Sequence, residues 1–108
     1  MQGFQLTFMT ESNRRIAGKP AFEWLLHAAK ELGCRGATTF SGVESVGADG
    51  HRHSAHFFEL ADQPVQVVMA VTEAQAAALM QKISETRTRL FYIKTPIEYG
   101  SIGLEANA

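Results

Sequence analysis

His51, His53, His56 and Glu59 crowd into one short stretch of this chain. Imidazoles and a carboxylate are ligands for zinc and related ions. On an extended strand His51 and His53 share a face and His56 falls on the other, so convergence on one ion needs a bend. The competing reading is a set of exposed loop histidines, with His53 packing against the loop or touching an effector. A second group is cationic. Arg87 and Arg89 share a face if extended and could clamp a phosphate or carboxylate bidentately. Otherwise they are a solvated helix end, where cations also suit the dipole. Lys19, in Gly18-Lys19-Pro20, stands where a helix begins, and an ammonium beside free N–H groups could hold an anion. Against this, Pro20 removes one donor, leaving a turn with a solvated lysine as the alternative. The glycine spacing is not that of a Walker loop. Cys34 is followed by Arg35, which could lower its pKa. No histidine is arranged beside it by sequence, so a structural or surface thiol is the simpler reading. No Ser/His/Asp set or paired-carboxylate motif can be assigned, and no enzymatic activity is expected.

The elements that must position these residues follow from periodicity. Phe4 to Met9 alternates, with Phe4, Leu6 and Phe8 on one side and Gln5 and Thr7 on the other, which predicts a strand with one buried face. Glu11 to Arg15 reads as a polar connection. Pro20 suits the first turn of a helix. Phe22, Leu25, Leu26, Ala29 and Leu32 then form one apolar stripe, with Trp24 beside it and Gly33 ending it. Ala37 to Val43, rich in Thr and Phe, predicts a strand into which the Thr38–Thr39 pair fits. Gly42, Gly47 and Asp49-Gly50 then punctuate a long loop. His51 to Leu60 reads as the returning arm of a hairpin. Val65 to Val71 is nearly all apolar, as in a central strand. Thr72 and Gln75 make a capping box, and Ala76, Leu79, Met80 and Ile83 give a second helix its apolar face. Leu90 to Thr95 is the last strand expected, stopped by Pro96.

The order strand, helix, strand, loop, strand, helix, strand predicts an α+β, ferredoxin-like βαββαβ sandwich. Its sheet is antiparallel, both helices lie on one face, and the elaborated loop joins core strands 2 and 3. The other sheet face then needs cover, and apolar residues pointing both ways along the strands make self-association a natural solution. Residues 1–99 are expected as one domain, with 100–108 a tail.

Composition narrows the function. The chain has 108 residues, a net charge of −1, 45% hydrophobic and 19% charged residues, and one cysteine. That balance argues against general attraction to nucleic acid or anionic membrane. One cysteine excludes an internal disulfide. No apolar run approaches the roughly 20 residues needed to span a bilayer, and no signal-peptide pattern opens the chain. A cytoplasmic protein, neither membrane-spanning nor bound to nucleic acid, is expected.

With these pieces in place the chain resembles the PII-like proteins grouped as domain of unknown function 190. The matching stretches are Gly18-Lys19-Pro20 with Glu23 and Leu25-Leu26, Gly36-Ala37-Thr38, Gly42-Val43-Glu44, Gly47, His53-Ser54-Ala55 with Leu60, and Pro64 to Val71. They span about residues 4 to 99. The resemblance implies a compact homotrimer that binds a small anionic effector, an adenine nucleotide among the possibilities, in clefts between subunits. It implies that Thr38 and Thr39 contact the effector; with Lys19, Arg87 and Arg89, read above from their own chemistry, they are the effector-binding candidates. It also implies that the 44–63 loop, with Gly42, Glu44, Gly47 and His53, changes shape to engage a partner such as a transporter or an enzyme. Two departures stand out. Ser45-Val46-Gly47 replaces a frequent Gly-Phe-Gly, and Ser84 to Arg89 lacks the glycine and lysine of the PII phosphate loop. The alternative is a metal-binding trimer resembling the CutA-like proteins, with His51, His53, His56 and Glu59 as ligands.

Overall fold

A run of valines interrupted only by Gln66, Met69 and Ala70 forms the middle of the sheet. In the computed structural model, which describes residues 1–42, 44–46, 52–54 and 63–104, this run is β7 (Pro64–Val71). It lies between β1 (Gln2–Glu11) and β4 (Ala37–Ser41), and β8 (Phe91–Glu98) pairs with the far side of β1. All pairings are antiparallel, and the order β4-β7-β1-β8 is that of a ferredoxin-type sheet. The register places Leu6 opposite Met69 and Phe8 opposite Val67. These side chains are buried with Val65 and Val71 on one face.

Helices α1 (Ala21–Glu31) and α2 (Glu73–Glu85) cover that face. They contribute Leu25, Ala28, Ala29, Ala76, Leu79 and Ile83 to the core. The alanines let the helix axes come close to the sheet. Each fully buried Leu, Val, Phe or Met is worth about 1.5–3 kcal/mol before entropy is counted. Phe22, Leu26 and Leu32, expected on the buried stripe, are half-buried at its margin with Trp24, while Ala21 and Ala28 are buried instead.

α1 ends as expected at Gly33, whose φ of +77° is readily adopted only without a Cβ. The expected capping box on α2 is present. The Thr72 hydroxyl accepts the Gln75 N–H at 3.0 Å and Gln75 Oε1 accepts the Thr72 N–H at 2.9 Å. The Gln75 amide also donates to the carbonyls of Gly33 (3.1 Å) and Leu32 (3.4 Å), which ties the start of α2 to the end of α1. Gln75→Ala removes both functions. It should cost about 1–2 kcal/mol and lower Tm by roughly 5–10 °C, measurable by thermal circular dichroism; Glu73→Ala, also in the first turn of α2, should move Tm far less.

Several boundaries differ from expectation. Pro96 does not stop the last strand but sits inside it, opposite Phe4. Met1 and Tyr99 exchange both backbone bonds, and that parity makes Phe4–Pro96 a non-hydrogen-bonded pair. The proline nitrogen therefore faces the open edge, where no N–H is required. Pro20 is the N-cap of α1 rather than a residue of its first turn. The segment after Glu11 is more than a polar connection: β2 (Arg15–Ile16) and β3 (Lys19–Pro20) form a small hairpin, and Ile16 is buried. β4 ends at Ser41. Of the expected loop hairpin, β5 (Glu44–Val46) and β6 (Arg52–Ser54) pair antiparallel; the rest of the 51–60 arm lies outside the described residues.

The helix-free face carries Thr7, Met9, Phe40, Val68, Phe91 and Ile93, as the register requires. Phe91 is 61% exposed, Phe40 53% and Ile93 43%. No helix among the described residues is long and apolar enough to cross a membrane.

Candidate functional site

The long loop leaves and rejoins the sheet at one end, and the chain gathers its cations there. At that end β1 finishes at Glu11 opposite Pro64, β4 finishes at Ser41 opposite Val65, and β8 begins at Phe91 opposite Met9. The base of the loop is pinned by the backbone. Gly42 N–H donates to the Pro64 carbonyl at 2.7 Å, and Ser12 N–H to the Gln63 carbonyl at 2.9 Å. A Cβ on Gly42 would stand 3.3 Å from that of Pro64, a tight contact that would press on the two loop arms. A shallow groove of about 360 Å³ runs past this point between Met9, Phe40, Gly42 and Gln66.

The β2–β3 hairpin brings Lys19 to the same end. Ala17 and Gly18 both have positive φ (+52° and +80°), the signature of a two-residue turn with the twist a hairpin needs. Arg15 Nη1 donates to the Gly18 carbonyl at 3.0 Å. The Arg14 carbonyl accepts the Ala21 N–H at 2.8 Å, setting the start of α1. The Arg14 side chain reaches the α2–β8 connection, where Nη1 donates to the Arg89 carbonyl at 2.7 Å. Arg14, Arg15, Lys19, Arg87 and Arg89, half of the ten Lys and Arg residues of the chain, thus meet at one end. All five are exposed and none is ion-paired among the described residues. Arg87 follows the cap of α2 with φ +58°, a backbone conformation that costs a non-glycine residue about 1 kcal/mol.

The two threonines part company. Thr38 lies opposite Val68 on the helix-free face and is exposed; Thr39 lies opposite Val67 on the helix side. Its hydroxyl is buried without a partner among the described residues, as is that of Thr10. β4 and β8 are opposite edges of the sheet, three strand spacings or about 14 Å apart. One protomer therefore does not bring Thr38 to Arg89.

Of the loop candidates, Glu44 pairs with Ser54 in backbone register and His53 with Ser45. Gly47, His51, His56 and Glu59 lie outside the described residues. Among the described residues no three His, Cys, Asp or Glu side chains come together to hold a metal ion. Cys34 fits the simpler reading of an unactivated thiol: burial pushes it above its ordinary pKa, and a backbone hydrogen bond only partly offsets this. Arg35 does not activate it.

Sequence reasoning missed Arg14. Its partner at Arg89 lies far along the chain, and no local pattern marks the pair. The positive φ of Arg87 was equally invisible, since glycine or asparagine is the usual signal there.

A four-stranded antiparallel sheet with two helices on one face is the ferredoxin-type architecture of PII-like proteins, and solved structures agree. CPII, a nitrogen regulatory PII-like protein from Thiomonas intermedia bound to ADP, AMP and bicarbonate, superposes with a TM-score of 0.67 at 15% identity, covering 93% of this chain and 97% of that chain. A putative PII-like signaling protein from Thermus thermophilus gives 0.66 at 15% identity, covering 90% and 88%. The apo form of CPII gives 0.53 at 12% identity, covering 91% and 96%. At these identities the likeness is one of fold. A search of curated proteins finds no match. The family model described as DUF190, uncharacterized ACR, matches residues 3–98. The chain belongs to that family.

Proposed function

We propose that this chain is a PII-like regulatory protein. It binds a small anionic effector of the adenine-nucleotide class at the basic end of the sheet, and it uses the 44–63 loop to engage a partner such as a transporter or an enzyme. The observation that carries this reading is the gathering of Arg14, Arg15, Lys19, Arg87 and Arg89, unpaired among the described residues, at the base of the loop in a chain whose net charge is −1. Like charges held together are stabilised by a bound anion. A fold neighbour, CPII, holds ADP and AMP.

The assembly is a homotrimer on this reading. Thr38 and the arginines lie at opposite edges of one protomer, so a cleft that uses both is completed by a neighbouring copy. The exposed apolar residues of the helix-free face support the same association. Signalling is a population shift, which requires the effector to interact differently with two arrangements of the loop.

Titration calorimetry with ADP, AMP and ATP tests the proposal. Saturable heat with one site per protomer is expected; no heat from any nucleotide at millimolar concentration overturns it.

A further inference from the structure

The few residues between β1 and the β2–β3 hairpin hold on to distant parts of the fold. Ser12 N–H donates to the Gln63 carbonyl at 2.9 Å, where the long loop rejoins the sheet. Arg14 Nη1 donates to the Arg89 carbonyl at 2.7 Å, on the connection that leads into β8 and 75 positions away in sequence. Between these two contacts the Arg14 N–H returns to the Glu11 carbonyl at 3.0 Å, closing residues 11–14 into a turn with little slack. The Arg14 carbonyl accepts the Ala21 N–H at 2.8 Å, which anchors the turn to the start of α1. Gln63 is bonded to Pro64, whose carbonyl holds the Gly42 N–H at 2.7 Å on the outgoing arm of the loop. An unbroken chain of contacts therefore runs from Arg89 through Arg14, Ser12 and Gln63 to Gly42. It crosses the sheet end from the β8 edge to the β4 edge, about 14 Å.

We infer that residues 11–14 form a strap that couples the connection between α2 and β8 to the base of the loop, with Arg14 as its clasp. The Arg14 side chain is exposed, so packing does not hold it in place; its hydrogen bond does. A charged donor on a carbonyl is stronger than a neutral pair, which makes the clasp the firmest of the side-chain ties at this end. Coupling between two places is reciprocal. Whatever loosens the connection frees the loop base, and whatever fastens the loop base steadies the connection. The strap is a property of the fold and holds with or without an effector. Arg14 on this reading is a positioning residue for the loop.

Hydrogen exchange of the ligand-free full chain, followed amide by amide by NMR, tests the strap on wild type, Arg14→Gln, Arg14→Lys and Gly42→Ala. In Arg14→Gln the Ser12 and Gly42 amides should exchange about tenfold faster, on the order of one charged hydrogen bond, while Leu6 and Val67 in the central ladder change by less than about twofold. Arg14→Lys restores the charge without the planar fork and should recover part of the protection. Gly42→Ala presses on Pro64 at the far end of the strap. It should speed exchange of the Thr88 amide, held by Thr86 Oγ1 at 3.2 Å beside Arg89, by about threefold or more.

Faster exchange at Gly42 in Arg14→Gln, together with faster exchange at Thr88 in Gly42→Ala, supports the strap. Acceleration in Arg14→Gln confined to residues 86–91 overturns it, and so does equal acceleration of every amide, which is a loss of global stability. Should Arg14→Gln not fold, Gly42→Ala decides: an unchanged Thr88 amide overturns the strap. A chain that binds no nucleotide and still shows both remote effects keeps the strap and loses the effector reading.

Discussion

Gly3→Ala is expected to cost about 3 kcal/mol or more and to lower the urea midpoint sharply. Gly3 is the second residue of β1, a strand paired on both sides. A Cβ built there would collide with the Val71 carbonyl oxygen and would stand 2.7 Å from the Tyr99 ring. The ring could swing aside. The carbonyl belongs to the central strand and cannot move without breaking the ladder at Phe4–Val71. Typical domains are stable by only about 5–15 kcal/mol, so the loss is a large share of the whole. Gly36→Ala is the control, because a Cβ there meets nothing within 4 Å. Urea denaturation of both variants decides the matter. A Gly3→Ala midpoint equal to that of Gly36→Ala would show that the strand yields where the geometry says it cannot.

On the trimer reading proposed above, Ile93→Glu should abolish self-association while leaving the protomer folded. Ile93 stands in a row with Thr7, Val68 and Thr38 across the helix-free face. In the protomer it is 43% exposed, so a carboxylate there can stay in water. In an assembly that covers this face the same carboxylate is buried unpaired, at a cost of several kcal/mol per copy. At about 1.4 kcal/mol per tenfold, association should weaken by more than roughly 100-fold. Light scattering should then give the mass of one chain, with unchanged far-ultraviolet circular dichroism. If a neighbouring copy completes the proposed nucleotide site, the heat of nucleotide binding should vanish as well. A variant that keeps the wild-type mass would remove the helix-free face as the interface.

The elements with strong periodicity are legible in the sequence itself. The alternation at Phe4–Phe8, the continuous apolar run at Val65–Val71 and the Thr72–Gln75 box each constrain one local geometry, and each is found. What escaped depends on neighbours distant in sequence. Pro96 reads as a stop because proline removes a donor; only its place on an edge, in a non-hydrogen-bonded pair, makes it harmless. Ile16 looks like one apolar residue in a polar connection, yet it anchors the hairpin that delivers Lys19. At the candidate site, Lys19, Arg87 and Arg89 are visible as charge at element ends. Arg14 is not, since its contact is made through tertiary structure. Thr38 and Thr39 are paired by adjacency, whereas a strand sends adjacent residues to opposite faces.

The strand order also sets how the chain must find its shape. β1 is made first in sequence, yet both of its neighbours, β7 and β8, come from the second half of the chain. Glu11 must meet Pro64, and Phe4 must meet Val71, before the sheet has a centre. Closing so long a stretch is entropically costly before any contact repays it. Refolding on the slower, millisecond-to-second side of small domains follows from such non-local pairing. On the ribosome β1 waits, unzipped and apolar on one side, until the segments of β7 and β8 have emerged.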